Sequence, residues 1–175
     1  MVRLFLLLAL LAPAFPGWSQ KLLINEIAAA VVNSQVDDYG EFEDWIEIYN
    51  PTKYDIDVGG WFLTDNLNKP TKWRIPHSRP ELTTVHAGGY LLLFADGDTL
   101  QGPLHLGFAL KKSGEQLGLF NHDGENLVLM DSVSYDNLQA DCSYGRCPEH
   151  KGLWSVLNKP TPGKANICPR SRKTK

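Results

Sequence analysis

Beyond its first twenty residues, no stretch of this chain sustains a helical hydrophobic period, and glycine or proline interrupts nearly every run. Apolar and polar residues instead alternate over short segments with a period of two, the signature of half-buried strands. Nine segments read this way: Leu22–Ile27, Asp44–Tyr49, Trp61–Thr64, Lys72–Ile75, Tyr90–Ala95, Gln116–Phe120, Leu127–Val133, Ser143–Arg146 and Leu153–Leu157. Tyr90–Ala95 is apolar throughout, which predicts a central strand covered on both faces. Asn121-His122-Asp123-Gly124 carries an Asp-Gly pair between two such segments and predicts a hairpin. About nine short strands at this spacing predict an all-β fold, a β-sandwich, with a small barrel as the competing closure.

The N-terminus bears on the compartment. Arg3 precedes the unbroken apolar run Leu4–Leu11, and breakers follow before Gly17-Trp18-Ser19. Charged start, short apolar centre and small residues at the end make a secretory signal peptide, residues 1–19, with the cut expected after Ser19 and Ala12-Pro13-Ala14 as a second site. The run is well short of the ~20 residues a membrane-spanning helix needs, so the expected product is secreted and extracellular.

Charge narrows the partners. Between Lys21 and Gly163 there are 11 basic and 20 acidic residues, a balance of −9. Such a body repels a phosphate backbone. Lys164, Arg170, Arg172, Lys173 and Lys175 gather at the other end, so nucleic acid or an anionic surface would have to be met by that basic tail. The expected organisation is one domain over 20–167 and a basic, flexible tail over 168–175.

Export also frames the three cysteines, Cys142, Cys147 and Cys168, as one disulfide and one thiol. If Ser143–Arg146 is extended, Cys142 and Cys147 lie ~16 Å apart at ~3.3 Å per residue. A bridge needs Cα atoms within about 7 Å, so Cys168 is expected to pair with Cys142 or with Cys147. Cys142, Cys147, His150 and Cys168 can also be spelled as a zinc set, although the paired knuckles of structural zinc modules are missing.

Motifs of catalysis are absent: no nucleophile elbow, no His-Glu-x-x-His, no phosphate-cradling glycine loop. The five histidines are scattered. No catalytic residue is assigned, and the chain is expected not to be an enzyme. Trp45, Trp61, Trp73 and Trp154 each fall in a strand and read as packing residues, against the alternative of an exposed aromatic strip at Trp45 and Tyr49. Asp37, Asp38, Glu41, Glu43, Asp44 and Glu47 place six carboxylates in eleven residues without a base. Carboxylates so close repel unless solvated or neutralised by a cation. Calcium, which takes six to eight oxygens, is the cofactor that Asp37, Asp38, Glu41, Glu43 and Asp44 would suit; the plainer reading is a solvated acidic loop.

A series of motifs, in order, resembles a known family. Ile24-Asn25-Glu26-Ile27, Asp44-Trp45-Ile46-Glu47-Ile48-Tyr49-Asn50-Pro51 and Trp61-Phe62-Leu63-Thr64-Asp65 are similar to the opening of a lamin tail domain. Trp73-Arg74-Ile75-Pro76, Gly88 to Ala95, Leu106 to Leu110 and Ser113-Gly114-Glu115 continue the resemblance. Asp131-Ser132-Val133, Ser143-Tyr144-Gly145-Arg146, Trp154 and Thr161-Pro162-Gly163-Lys164-Ala165-Asn166 resemble its secreted bacterial form. The resemblance implies an immunoglobulin-like sandwich without catalytic residues of its own. Two functions follow as expectations: a secreted binding module attaching to a protein, surface or matrix partner, or an accessory domain of an exported hydrolase or nuclease system.

Overall fold

The computed structural model describes residues 22–148 and 152–169. Both the expected signal segment, 1–19, and the part of the expected basic tail past Pro169 lie outside the described residues, as does His150 of the zinc spelling. In chain order the strands are β1 (Leu23–Ala28), β2 (Trp45–Tyr49), β3 (Ile56–Asp57), β4 (Phe62–Thr64), β5 (Trp73–Arg74), β6 (Thr84–Val85), β7 (Tyr90–Phe94), β8 (Gly114–Asp123), β9 (Asn126–Asp136), β10 (Ser143–Arg146) and β11 (Trp154–Leu157). One helical turn, α1 (Pro80–Thr83), starts with the proline that fits a first helical position.

Two antiparallel sheets face each other, ordered β11-β10-β1-β2-β7 and β5-β4-β8-β9, with β3 and β6 pairing as a small ribbon. This is the immunoglobulin-like β-sandwich. Its core lies between the sheets and includes Ile24, Ile27, Ile46, Ile48, Leu63, Leu93, Leu117 and Leu119, each fully buried. Asp131 on β9 ties one sheet to the other. Its Oδ2 accepts from Ile24 N at 2.9 Å and from Arg146 Nη2 at 2.7 Å, while Arg146 Nε donates to Ile24 O at 2.8 Å.

A bulge sets the phase of β1. Ile24 pairs with Ile48 and Glu26 with Glu47, leaving Asn25 without an opposite residue. An extra residue reverses the in–out alternation, so Ile24 and Ile27, three apart, both enter the core and Glu26 points away from it. A second bulge, between Leu119 and Phe120 opposite Leu129 to Asp131, does the same on the β8–β9 hairpin. There Leu129 is exposed and Met130 is buried.

Three details depart from the expectation. Two strands more than nine are present in kind: β3 and β6 are two residues each, too short for alternation to show. The hairpin pairs Asp123 with Asn126, so its loop is Gly124-Glu125, one residue beyond the expected Asp-Gly centre. Most consequential, β7 is at a sheet edge and not at its centre. Its run is apolar because both faces are covered. Leu93 enters the main core, and Phe94 joins Ala28 and Trp45 in a second cluster on the outer face, with Leu92 and Val31 against it. Part of its open edge is taken by the segment around His105, where Phe94 N donates to Leu104 O at 2.8 Å and Leu106 N to Phe94 O at 2.7 Å.

Trp45 is thus fully buried and Tyr49 nearly so, which sets aside the exposed aromatic strip. Trp61 is buried in the main core, and Trp73 and Trp154 are half-buried against it.

Candidate functional site

The outer face of the five-stranded sheet carries two groups of buried carboxylates. The first is roofed by the C-terminal segment. Glu26 and Glu47, paired across β1 and β2, are both fully buried. Glu26 Oε1 accepts from Thr161 N at 2.9 Å and from the Ser143 hydroxyl, and its Oε2 from Thr161 Oγ1 at 2.7 Å. Glu47 accepts from Asn25 Nδ2 at 2.9 Å and from Gly163 N at 2.6 Å. Asn166 completes the clip, donating to Arg146 O at 2.9 Å, with its Oδ1 3.0 Å from Thr161 Oγ1. Gly145, opposite Glu26, makes room for it: a Cβ there would lie 2.7 Å from Asn166 Nδ2. These bonds give Thr161, Gly163, Asn166 and Gly145 a common task. Their work is to seat a chain segment, and buried carboxylates are tolerated when so hydrogen-bonded.

The second group lies at the opposite end of β2, where the loop between β1 and β2 meets the loop after β7. Here Asp37 is buried while its neighbours are exposed. Its Oδ1 accepts from Tyr39 N at 2.8 Å and Glu41 N at 2.9 Å, and Asp37 N donates to Glu41 O at 3.0 Å. Gly40, at φ +83°, supplies the left-handed residue this tight turn needs. Asp37 Oδ2 has no hydrogen-bond partner, although it is buried.

Asp96 and His105 close on the same point. The His105 Nδ1 and Asp96 Oδ2 atoms are 2.5 Å apart, with side chains only 4% and 5% exposed. Phe94 stacks on the imidazole at 5.2 Å between centroids, and Tyr39 meets it edge-on at 6.0 Å. One ligand atom from each of Asp37, Asp96 and His105 lies within 4.8 Å of the others, the group among the described residues able to hold a metal ion. Gln101 packs beside them, donating from Nε2 to Glu41 Oε2 at 2.7 Å and accepting the Tyr39 hydroxyl on its backbone oxygen at 3.2 Å.

The carboxylates singled out from the sequence do not converge as one set. Asp38 and Glu41 are exposed. Asp44 turns to Val31 N, which donates to its Oδ1 at 3.0 Å, and its carboxyl is raised above the ordinary range chiefly by burial. Glu43 is half-buried and also raised, first by desolvation and then by the like charges of Asp96, Glu41, Asp37 and Asp44. Glu47 belongs to the C-terminal clip. Only Asp37 of the expected calcium set faces the cluster, and its companions Asp96 and His105 come from about 60 residues downstream. A lone histidine and an Asp-Gly-Asp turn carry no spacing signal that could have joined them to Asp37.

The cysteines are placed apart in kind: Cys142 half-buried, Cys147 buried and Cys168 exposed. The extended β10 separates Cys142 from Cys147, as expected. The Cys168 thiol lies 3.8 Å from Asn166 O, and no bridge joins it to Cys142 or Cys147 in this structure.

With the sandwich and its roofed outer face in view, comparison with known proteins decides the family. The profile described as Lamin Tail Domain matches residues 18–137, well over half of the chain. The chain belongs to the lamin tail domain family. Immunoglobulin-like domains of this family are generally non-catalytic. In this lamin tail domain the matched residues end just after β9, and β10, β11 and the Thr161–Asn166 clip complete the sheet beyond them. A comparison with curated protein sequences finds no match. Among the described residues no helix is long and apolar enough to cross a membrane.

Proposed function

We propose that this lamin tail domain is a secreted, non-catalytic interaction module that attaches to a protein partner through the loops flanking the Asp37 turn. The observation that carries this reading is a set of large apolar side chains left in solvent on well-braced loops. Leu100 is 94% exposed, Tyr39 61%, Phe42 47% and Val36 40%. Tyr39 is anchored to Gln101, and Val36 bridges Phe42, so the set is presented on fixed backbone. Aromatic anchors on a rigid scaffold are what protein interfaces use for most of their binding energy. Exposed Asp38 and Glu41 rim the patch, so the matching surface is an apolar pocket bordered by basic residues.

Immobilised full chain, challenged with extracellular proteins from its source, tests this. A partner retained by the native chain and by Tyr54→Ala, at the far end of β2, should be lost with Tyr39→Ala combined with Leu100→Ser. Equal retention by the loop variant overturns the reading. Export brings a second expectation, a disulfide from Cys168 to Cys142 or to Cys147. Peptide mapping of unreduced exported protein tests it, and Cys142 joined to Cys147 would overturn it.

A further inference from the structure

We propose that Asp37, Asp96 and His105 bind one zinc ion, which pins the loop between β1 and β2 against the segment that follows β7. Three separate pieces of chain deliver the ligands: the turn around Asp37, the end of β7, and the stretch that covers the β7 edge. The atoms they offer already lie within 4.8 Å of one another. Zinc holds nitrogen and carboxylate oxygen at about 2.0–2.2 Å, which puts neighbouring ligands about 3.3 Å apart in a tetrahedron. Small side-chain rotations would draw in the wider separations and open the 2.5 Å His105–Asp96 contact to that spacing.

Two further features point to a cation. Asp37 is 7% exposed, its Oδ1 is committed to the turn, and its buried Oδ2 has no partner. A buried carboxylate oxygen without a donor is costly, and a metal ion removes that cost directly. The surroundings are also of one sign. Glu41, Glu43 and Asp44 flank the site, and among the described residues no Lys or Arg forms an ion pair with Asp37 or Asp96.

The donor set selects the ion. Calcium takes six to eight oxygens in an open, flexible loop. Two carboxylates and one imidazole in a compact buried site match zinc, whose three protein ligands leave a fourth position for water. Carboxylate and imidazole ligands bind zinc in their deprotonated forms, so affinity falls in acid. The site does not depend on what the exposed loops bind.

The full chain is titrated with zinc chloride alone, by calorimetry and by metal analysis after dialysis. One zinc per chain and a raised melting temperature are expected, with calcium chloride producing neither. Asp37→Asn keeps the oxygen that receives the two turn bonds, so it should fold and yet bind zinc roughly a hundredfold more weakly. The cysteines are the competing zinc ligands. Cobalt in the native chain should show d–d bands without thiolate charge-transfer absorption, and replacing Cys142, Cys147 and Cys168 by Ser should leave zinc affinity unchanged. Thiolate bands, an Asp37→Asn variant that binds zinc as tightly as the native chain, or preference for calcium would each overturn the proposal.

Discussion

Glu26 and Asp37 are both acidic side chains buried at the outer face of the same sheet, yet their surroundings differ in one respect. Both oxygens of Glu26 accept from Ser143 and Thr161, donors supplied by β10 and by the C-terminal segment. Asp37 has donors for Oδ1 only, and its other oxygen is buried without one. A carboxylate satisfied on both oxygens by its own chain is part of the architecture. One left half-satisfied beside a second carboxylate and an imidazole is the arrangement on which the zinc proposal rests. Density of charge in the sequence does not reveal that contrast.

The largest effect comes from removing the floor beneath the Asp37 group. Trp45 packs with Ala28 and Phe94, and Phe94 in turn stacks on His105. Trp45→Ala should cost roughly 3–5 kcal/mol in denaturant unfolding, as for other buried aromatic truncations. A cost under about 1 kcal/mol, the scale of a surface site, would contradict the burial seen here.

Next comes the architectural carboxylate. Glu26→Gln puts an amide donor where Ser143 and Thr161 already donate, and should destabilise by about 1–3 kcal/mol. Gly145→Ala attacks the same clip from below, since the new methyl would sit 2.7 Å from Asn166 and 2.8 Å from Leu157. Its expected cost is also about 1–3 kcal/mol, the range of overpacked cores. If either variant melts with the native chain, the C-terminal segment is not seated as described.

Asp37→Asn, measured with chelator present, is the counterpart. It preserves the accepting oxygen of the turn and should change stability by less than about 0.5 kcal/mol. A loss as large as that of Glu26→Gln would mean Asp37 serves the fold and would erase the contrast.

The smallest expected effect is in pH. Burial raises the Asp44 carboxyl above its ordinary 3.8, so the folded chain holds that proton more tightly than the unfolded chain. Its contribution therefore weakens as pH rises from the unfolded value through the folded one, and is constant beyond. Glu43 acts in the same direction. Asp44→Asn should make stability fall less over this window, and an unchanged slope would show that Asp44 titrates alike in both states.

Much of the fold was legible because alternation and turn chemistry are local. Trp45 to Tyr49, Trp61 to Thr64 and Ser143 to Arg146 were visible as strands, and Thr161 to Asn166 as a motif. What alternation could not show is which strand lies at an edge. Tyr90 to Ala95 looks central because both its faces are apolar, and an edge strand covered on both faces reads the same. Asn25 and Met130 were equally silent, since a bulge is defined by the partner strand. For the site, Asp37 was picked out by its place in an acidic run, while Asp96 and His105 lie far from that run and Asp44 accepts from Val31 N instead of turning toward them.

By itself the sequence determined the all-β class, the positions of nine of the eleven described strands and the family, because periodicity, turn residues and motif order are properties of neighbouring residues. Tertiary structure alone decided which buried carboxylate is hydrogen-bonded on both oxygens and which keeps one oxygen without a partner. Whether a buried oxygen finds a donor depends on groups brought in from far along the chain, as Thr161 is to Glu26 and His105 to the neighbourhood of Asp37. No spacing in the linear chain encodes that meeting. It follows from the register of β1 and β2, from the bulge at Asn25, and from the segment around His105 lying along the open edge of β7.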